Sequence, residues 1–135
     1  MITNTILRAA AGVCLVATAA LYPLTAHAAA ADYRFEVAGV KPAATGKSDV
    51  TLRLIHTPDQ KPVPDAVLFE IKADMGPEGM PTMTAPAKAR PASQPGLYVV
   101  EIESGMAGTW ALQVAAKVQS ERETVRASLP VKLGQ

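Results

Sequence analysis

The chain is poor in the residues that most often carry chemistry. Its 135 residues include one cysteine, two histidines, one tryptophan, three tyrosines and two phenylalanines. Charge of one sign is also missing: 13 Lys and Arg face 12 Asp and Glu, for a net charge of +1. With no basic cluster, nucleic acid has no electrostatic handle, so nucleic-acid binding is not expected. The length allows one domain, and the shortage of aromatics makes its core an aliphatic one.

The first segment narrows the chemistry further. Met1 to Arg8 carries a single positive charge, Ala9 to Leu24 is uncharged and mostly apolar, and Pro23 is followed by the small residues of "TAHAAA". A basic start, an apolar middle and Ala26-His27-Ala28 form the layout of a secretory signal peptide, cleaved after Ala28. The competing reading is a retained anchor in the cytoplasmic membrane over residues 9–24, because no charged residue occurs from Ala9 to Ala31. That run is short for the roughly 20 residues a span needs. A cut after Ala26 would leave His27 as an amino-terminal Cu(II) chelator, but Leu24 suits that cut less well. Val13 before Cys14 argues against a lipid anchor there. Cleavage after Ala28 removes Cys14, His27 and Met1 and leaves 107 residues without a thiol. Disulfides, CxxC redox chemistry and cysteine zinc sites are then excluded.

The remaining residues, 29–135, read as one domain with the period-two spacing of strands. "YRFEV", "DVTLRLIH", "AVLFEIKA", "LYVVEIE", "TWALQVAAKV" and "ETVRASLPVKL" each alternate apolar with polar residues. Val67, Phe69 and Ile71 are expected to face inward in the third run, and Trp110 is expected to plug the core. Gly, Pro, Asp and Ser separate the runs at positions where chains reverse. Six clear strands and a short seventh around Thr84 to Lys88 fit an all-β domain, a small antiparallel β-sandwich. Pro130 marks the last run as an edge strand or a bulge.

An enzyme is not expected. Only His56 remains as an imidazole, no nucleophile sits in a recognisable arrangement, and no glycine-rich phosphate loop leads a strand into a helix. Asp74 and Glu78 are four apart in a Gly/Pro stretch and read as solvated loop charges. The methionines are the exception. Three of the four left after cleavage, Met75, Met80 and Met83, fall within nine residues in "DMGPEGMPTM", and Met106 lies in "SGMAGTW". A thioether is a soft, uncharged donor suited to Cu(I). The bland alternative is flexible packing. All four are expected on loops or strand ends, where core packing explains them poorly. Connections of a sandwich cluster at its two ends, so Met106 is expected to face the 75–83 stretch, and His56 is a candidate to join a metal site there.

The segments "KPVPDAVLFEIKADMGPEGMPTM" and "QPGLYVVEIESGMAGTWALQV" resemble the YtkA-like/FixH-like proteins of bacteria. The resemblance rests on the Met-Pro stretch, the Pro-Gly-x-Tyr strand opening and the Met-x-Gly-x-Trp turn, across Leu52 to Val118. It implies an immunoglobulin-like sandwich similar to CopC-like copper carriers. It also implies a place in the periplasm and a partner in heavy-metal efflux or copper delivery. Copper, as Cu(I), is the implied metal, with none obligatory, and Met75, Met80, Met83 and Met106 correspond to the family's methionines. Family loops often place His beside Met; this one does not. The alternative function is a metal-free adaptor whose methionine stretch contacts a partner protein, with membrane association only if the leader is retained.

Overall fold

The computed structural model describes residues 30–119 and 121–134. The expected leader, including Cys14 and His27, lies outside them. After a 3-10 turn at Ala30–Asp32 come nine strands: β1 (Tyr33–Pro42), β2 (Ser48–His56), β3 (Lys61–Pro62), β4 (Ala66–Met75), β5 (Met80–Ala85), β6 (Ala87–Arg90), β7 (Leu97–Ile102), β8 (Gly108–Val118) and β9 (Thr124–Leu133). Among the described residues no helix is long and apolar enough to cross a membrane.

The strands form two antiparallel sheets. Sheet A runs β1-β2-β7-β6, with β3 on the end of β2, and sheet B runs β5-β4-β8-β9. Lettered in chain order without β3, these are A-B-E-D and C′-C-F-G, an immunoglobulin-type arrangement with one strand added beside C. Nine strands stand where six to seven were expected. The two-residue β3 is too short to show alternation, and the expected seventh strand straddles a change of sheet. At Pro86 the chain leaves β5 in sheet B for β6 in sheet A, and the Pro86 carbonyl accepts the Glu103 N–H at 2.9 Å.

The core lies between the sheets. Val50, Leu52, Leu54, Val100 and Ile102 from sheet A meet Trp110, Leu112, Val114, Ala116 and Val131 from sheet B. Trp110 is 1% exposed. A polar staple fixes the crossing from β3 to β4. The Tyr98 hydroxyl donates to the Val63 carbonyl at 2.5 Å and accepts the Ala66 N–H at 3.1 Å. Its ring packs against the core below.

The alternation expected in the third run is corrected by a bulge. Register between β4 and β8 shifts between Leu68 and Glu70. The extra residue moves the inward set from Ala66 and Leu68 to Ile71, Ala73 and Met75. Val67 and Phe69 therefore point to solvent, at 62% and 56% exposure. One inserted residue reverses the faces of a strand.

Edge strands carry the features that discourage pairing with other chains. β9 has Pro130, β5 has Pro81 and a register break, β6 is framed by Pro86 and Pro91, and β1 shifts register between Val37 and Gly39. Pro130 thus sits on an edge strand, as its chemistry requires.

The two aromatic environments give a paired test. Trp110→Ala is expected to lower unfolding free energy by about 3–5 kcal/mol, whereas Phe69→Ser changes it by no more than about 0.5 kcal/mol. Urea unfolding of both variants measures the contrast; equal losses would mean that Phe69 is in the core.

Candidate metal pole

The antiparallel layout gathers the methionine segments at one end of the sandwich. β4 runs toward that end and finishes on Met75, a 3-10 turn at Gly76–Glu78 reverses the chain, and β5 starts at Met80. Met75 and Met80 are cross-strand partners. Met106 arrives on the neighbouring turn, two residues before Gly108 opens β8. "DMGPEGMPTM" is thus a strand end, a turn and a strand start rather than a loop throughout.

The four thioethers divide by burial. Met75 is 2% exposed and belongs to the core, an inward β4 position where packing accounts for it. Met80 and Met83 are each 38% exposed and Met106 is 46% exposed. Met83 sits where pairing breaks: Met75 pairs with Met80 but Asp74 pairs with Thr84, leaving residues 81–83 outside the ladder. Beside Met106 an open cleft of about 380 Å³ is lined by Lys47, Ser48, Ser104, Gly105, Ala107 and neighbouring residues of the β1–β2 turn.

The Met-x-Gly-x-Trp turn acquires a physical account, residue by residue. The Trp110 Nε1 donates to the Met106 carbonyl at 3.4 Å, tying the turn to the core residue that follows it. Gly108 stands at φ +148°, and a Cβ there would lie 2.8 Å from Met75 Cε. The Thr109 N–H donates to Glu78 Oε1 at 2.9 Å. Asp74 closes the other side: its Oδ1 accepts the Gly76 N–H at 2.8 Å and its Oδ2 accepts Gln113 Nε2 at 2.7 Å. Asp74 and Glu78, expected as solvated loop charges, are turn-fixing acceptors instead. The signal for Asp74 was in the sequence, because Asp followed two residues later by Gly suits a side-chain-closed turn. The partner of Glu78 is 31 residues away, and no local pattern announces it.

His56 is not part of this pole. β2 begins at Ser48, beside the Met106 cleft, and ends at His56. Nine extended residues separate the two ends by about 26 Å. His56 instead lies beside the start of the domain, opposite Tyr33, with ring centroids 5.0 Å apart. Its Nδ1 donates to Asp59 Oδ1 at 2.9 Å, and this hydrogen bond holds the Asp59 carboxyl below its ordinary pKa. Burial, and then the 2.9 Å hydrogen bond to Glu121, push the Tyr33 hydroxyl up to about 12.

A third polar cluster lies on the outer face of sheet A. Glu101 is only 6% exposed, flanked by Arg90 at 2.7 Å, Lys88 at 3.2 Å and Lys47 at 3.6 Å. Its cross-strand neighbours are Asp49 and Lys88. Asp49 Oδ1 accepts no hydrogen bond, and Arg90 lies 3.7 Å from it. The Lys88 hydrogen bond, helped by the charges of Lys47, Lys88 and Arg90, holds Glu101 below its ordinary carboxylate pKa against the opposing effect of burial. These partners come from separate strands, so sequence reading missed the cluster.

Among the described residues no group of three or more His, Cys, Asp or Glu is placed to hold a metal ion. Of the thioethers among them, Met80, Met83 and Met106 are the ones that reach solvent.

Fold and pole together define a small immunoglobulin-type sandwich with a methionine-bearing end. The YtkA-like family model matches residues 27–115, about two thirds of the chain, and the chain belongs to the YtkA-like family. The match includes Met75, Met80, Met83, Met106 and His56 and stops within β8, leaving β9 beyond it. No curated protein and no solved structure matches the chain.

Two stability tests follow from this geometry. Gly108→Ala is expected to destabilise by about 1–3 kcal/mol, from an unfavourable backbone angle and the contact with Met75; unchanged urea unfolding would contradict that packing. Glu101 has a folded-state pKa below its unfolded one, so its stabilisation is present above the ordinary glutamate value of 4.5 and is lost as pH falls through the lower folded value. Unfolding midpoints measured from pH 7 to pH 3 should therefore decline less steeply in Glu101→Gln than in the parent; parallel acid limbs would exclude this contribution.

Proposed function

We propose that the domain is an exported Cu(I)-binding module of the chaperone type, using Met80, Met83 and Met106 as its thioether donors. The observation that carries this reading is their placement at one end of the sandwich on neighbouring segments, all solvent-accessible, with no competing cluster of hard ligands among the described residues. Thioethers select a soft cation and do not titrate at ordinary pH, so such a site discriminates against Zn(II), Ca(II) and Mg(II). Donors 38–46% exposed suit a metal that is passed on by ligand exchange rather than one enclosed for good. Met75 forms the wall under the site, and His56 takes no part. The sequence pattern of residues 1–28 supports export, and the copper handling that the YtkA-like/FixH-like resemblance implies supports a periplasmic partner in efflux or copper delivery.

The exposed thioethers also support a second reading, a metal-free adaptor whose methionines form an adaptable apolar contact. Competition with a chromophoric Cu(I) chelator separates the two. The parent protein is expected to bind Cu(I), Met80→Ala/Met83→Ala and Met106→Ala to weaken it by at least about tenfold, roughly 1.4 kcal/mol, and His56→Ala to leave it unchanged. Absence of binding, or binding indifferent to the methionine substitutions, would sink the copper reading and favour the adaptor.

A further inference from the structure

The turn between Met75 and Met80 has few bonds of its own. It is a single 3-10 turn closed by one backbone hydrogen bond, from the Gly79 N–H to the Gly76 carbonyl at 2.9 Å, with Asp74 Oδ1 accepting the Gly76 N–H at its start. Met75 precedes it without a side-chain cap, and Pro77 has no N–H to give. Beyond the turn Met80 makes one cross-strand pairing, after which residues 81–83 leave the ladder. Met80 is therefore weakly held by β5 itself.

Asp74 ties the β4 side of the turn to Gln113, and Glu78 ties the side that leads to Met80. The Glu78 carboxylate crosses from the turn to the Thr109 N–H at 2.9 Å, one residue past Gly108, which packs on Met75, and three past Met106. A single oxygen thus joins the segment that carries Met80 to the segment that carries Met106.

We propose that Glu78 is the positioning residue of the methionine pole, holding Met80 and Met106 in the mutual register that a low-coordinate Cu(I) site requires. This rests on the copper reading above. Exposed, flexible thioethers lose conformational freedom when a metal orders them, and a scaffold that places them beforehand reduces that cost. Glu78 donates nothing to the metal. Its role is acceptance of a backbone N–H, which a glutamine side-chain carbonyl reproduces and an alanine or a shorter aspartate does not.

The test compares Glu78→Ala, Glu78→Asp and Glu78→Gln in two measurements: amide hydrogen exchange at Thr109 in the metal-free protein, and Cu(I) affinity by chelator competition. Glu78→Ala and Glu78→Asp are expected to speed Thr109 exchange and weaken Cu(I) binding about fivefold to tenfold. Glu78→Gln should keep both close to the parent. If Glu78→Ala leaves Thr109 exchange unchanged, or speeds it while Cu(I) binds as in the parent, the positioning role is overturned and the copper reading stands. Parent-like behaviour of Glu78→Asp, or loss in Glu78→Gln equal to that in Glu78→Ala, would assign the effect to charge and overturn the role too. A parent protein that binds no Cu(I) overturns both.

Discussion

Burial of the inward row of β8, from Trp110 through Leu112, Val114 and Ala116 to Val118, is the constraint on which the rest of the molecule hangs. β8 pairs with β4 on one side and β9 on the other, so seating it against sheet A sets the register of three strands of sheet B at once. It also fixes the methionine pole. Trp110 anchors the Met106 carbonyl, Gly108 lets Met75 pack close, and the Thr109 N–H takes Glu78. The apolar core and the candidate site are therefore two ends of one strand. This coupling gives a physical reason for a glycine and a tryptophan at fixed distances after Met106.

The molecule separates its polar features in space. Thioethers sit at one end, the His56–Asp59 pair and Tyr33 at the other, and the Glu101 cluster on an outer sheet face. The imidazole is thus kept apart from the soft donors, and the two carboxylates that share their end, Asp74 and Glu78, are engaged as hydrogen-bond acceptors of Gly76, Gln113 and Thr109. Glu101 illustrates how a charge is kept on an otherwise apolar strand. Val100 and Ile102 on either side are fully buried, and the carboxylate between them is covered by cations from β6 and the β1–β2 turn instead of by water. β1 opens beside His56, at the end of the sandwich opposite the methionine pole.

Much of the fold was legible because alternation survives wherever a strand is regular. β2, β7 and β8 show their inward residues directly, and Trp110 is where its pattern places it. The third run failed because a bulge at Phe69 inserts one residue, and alternation before and after it belongs to opposite faces. The strand count failed at β3, which has two residues, and at the β5–β6 segment, which changes sheets at Pro86. At the candidate site, composition and loop spacing revealed three of the methionines as soft donors outside the core. They misplaced Met75, because β4 continues through Ala73 to Met75 and keeps the inward phase of Ile71, and they misread Asp74 and Glu78, whose longer-range partners lie on β8.

By itself the sequence determined the class of fold, the aliphatic core and the soft, untitratable character of its concentrated donors, because these follow from period, volume and side-chain chemistry. Tertiary structure alone decided which donors share a place. The direction of β2 puts His56 at the opposite end of the strand from Ser48, which lines the Met106 cleft, and the pairing of β4 with β8 brings Met75 and Met80 beside the turn that bears Met106. Strand direction and register are properties of the paired sheet. No single segment contains them.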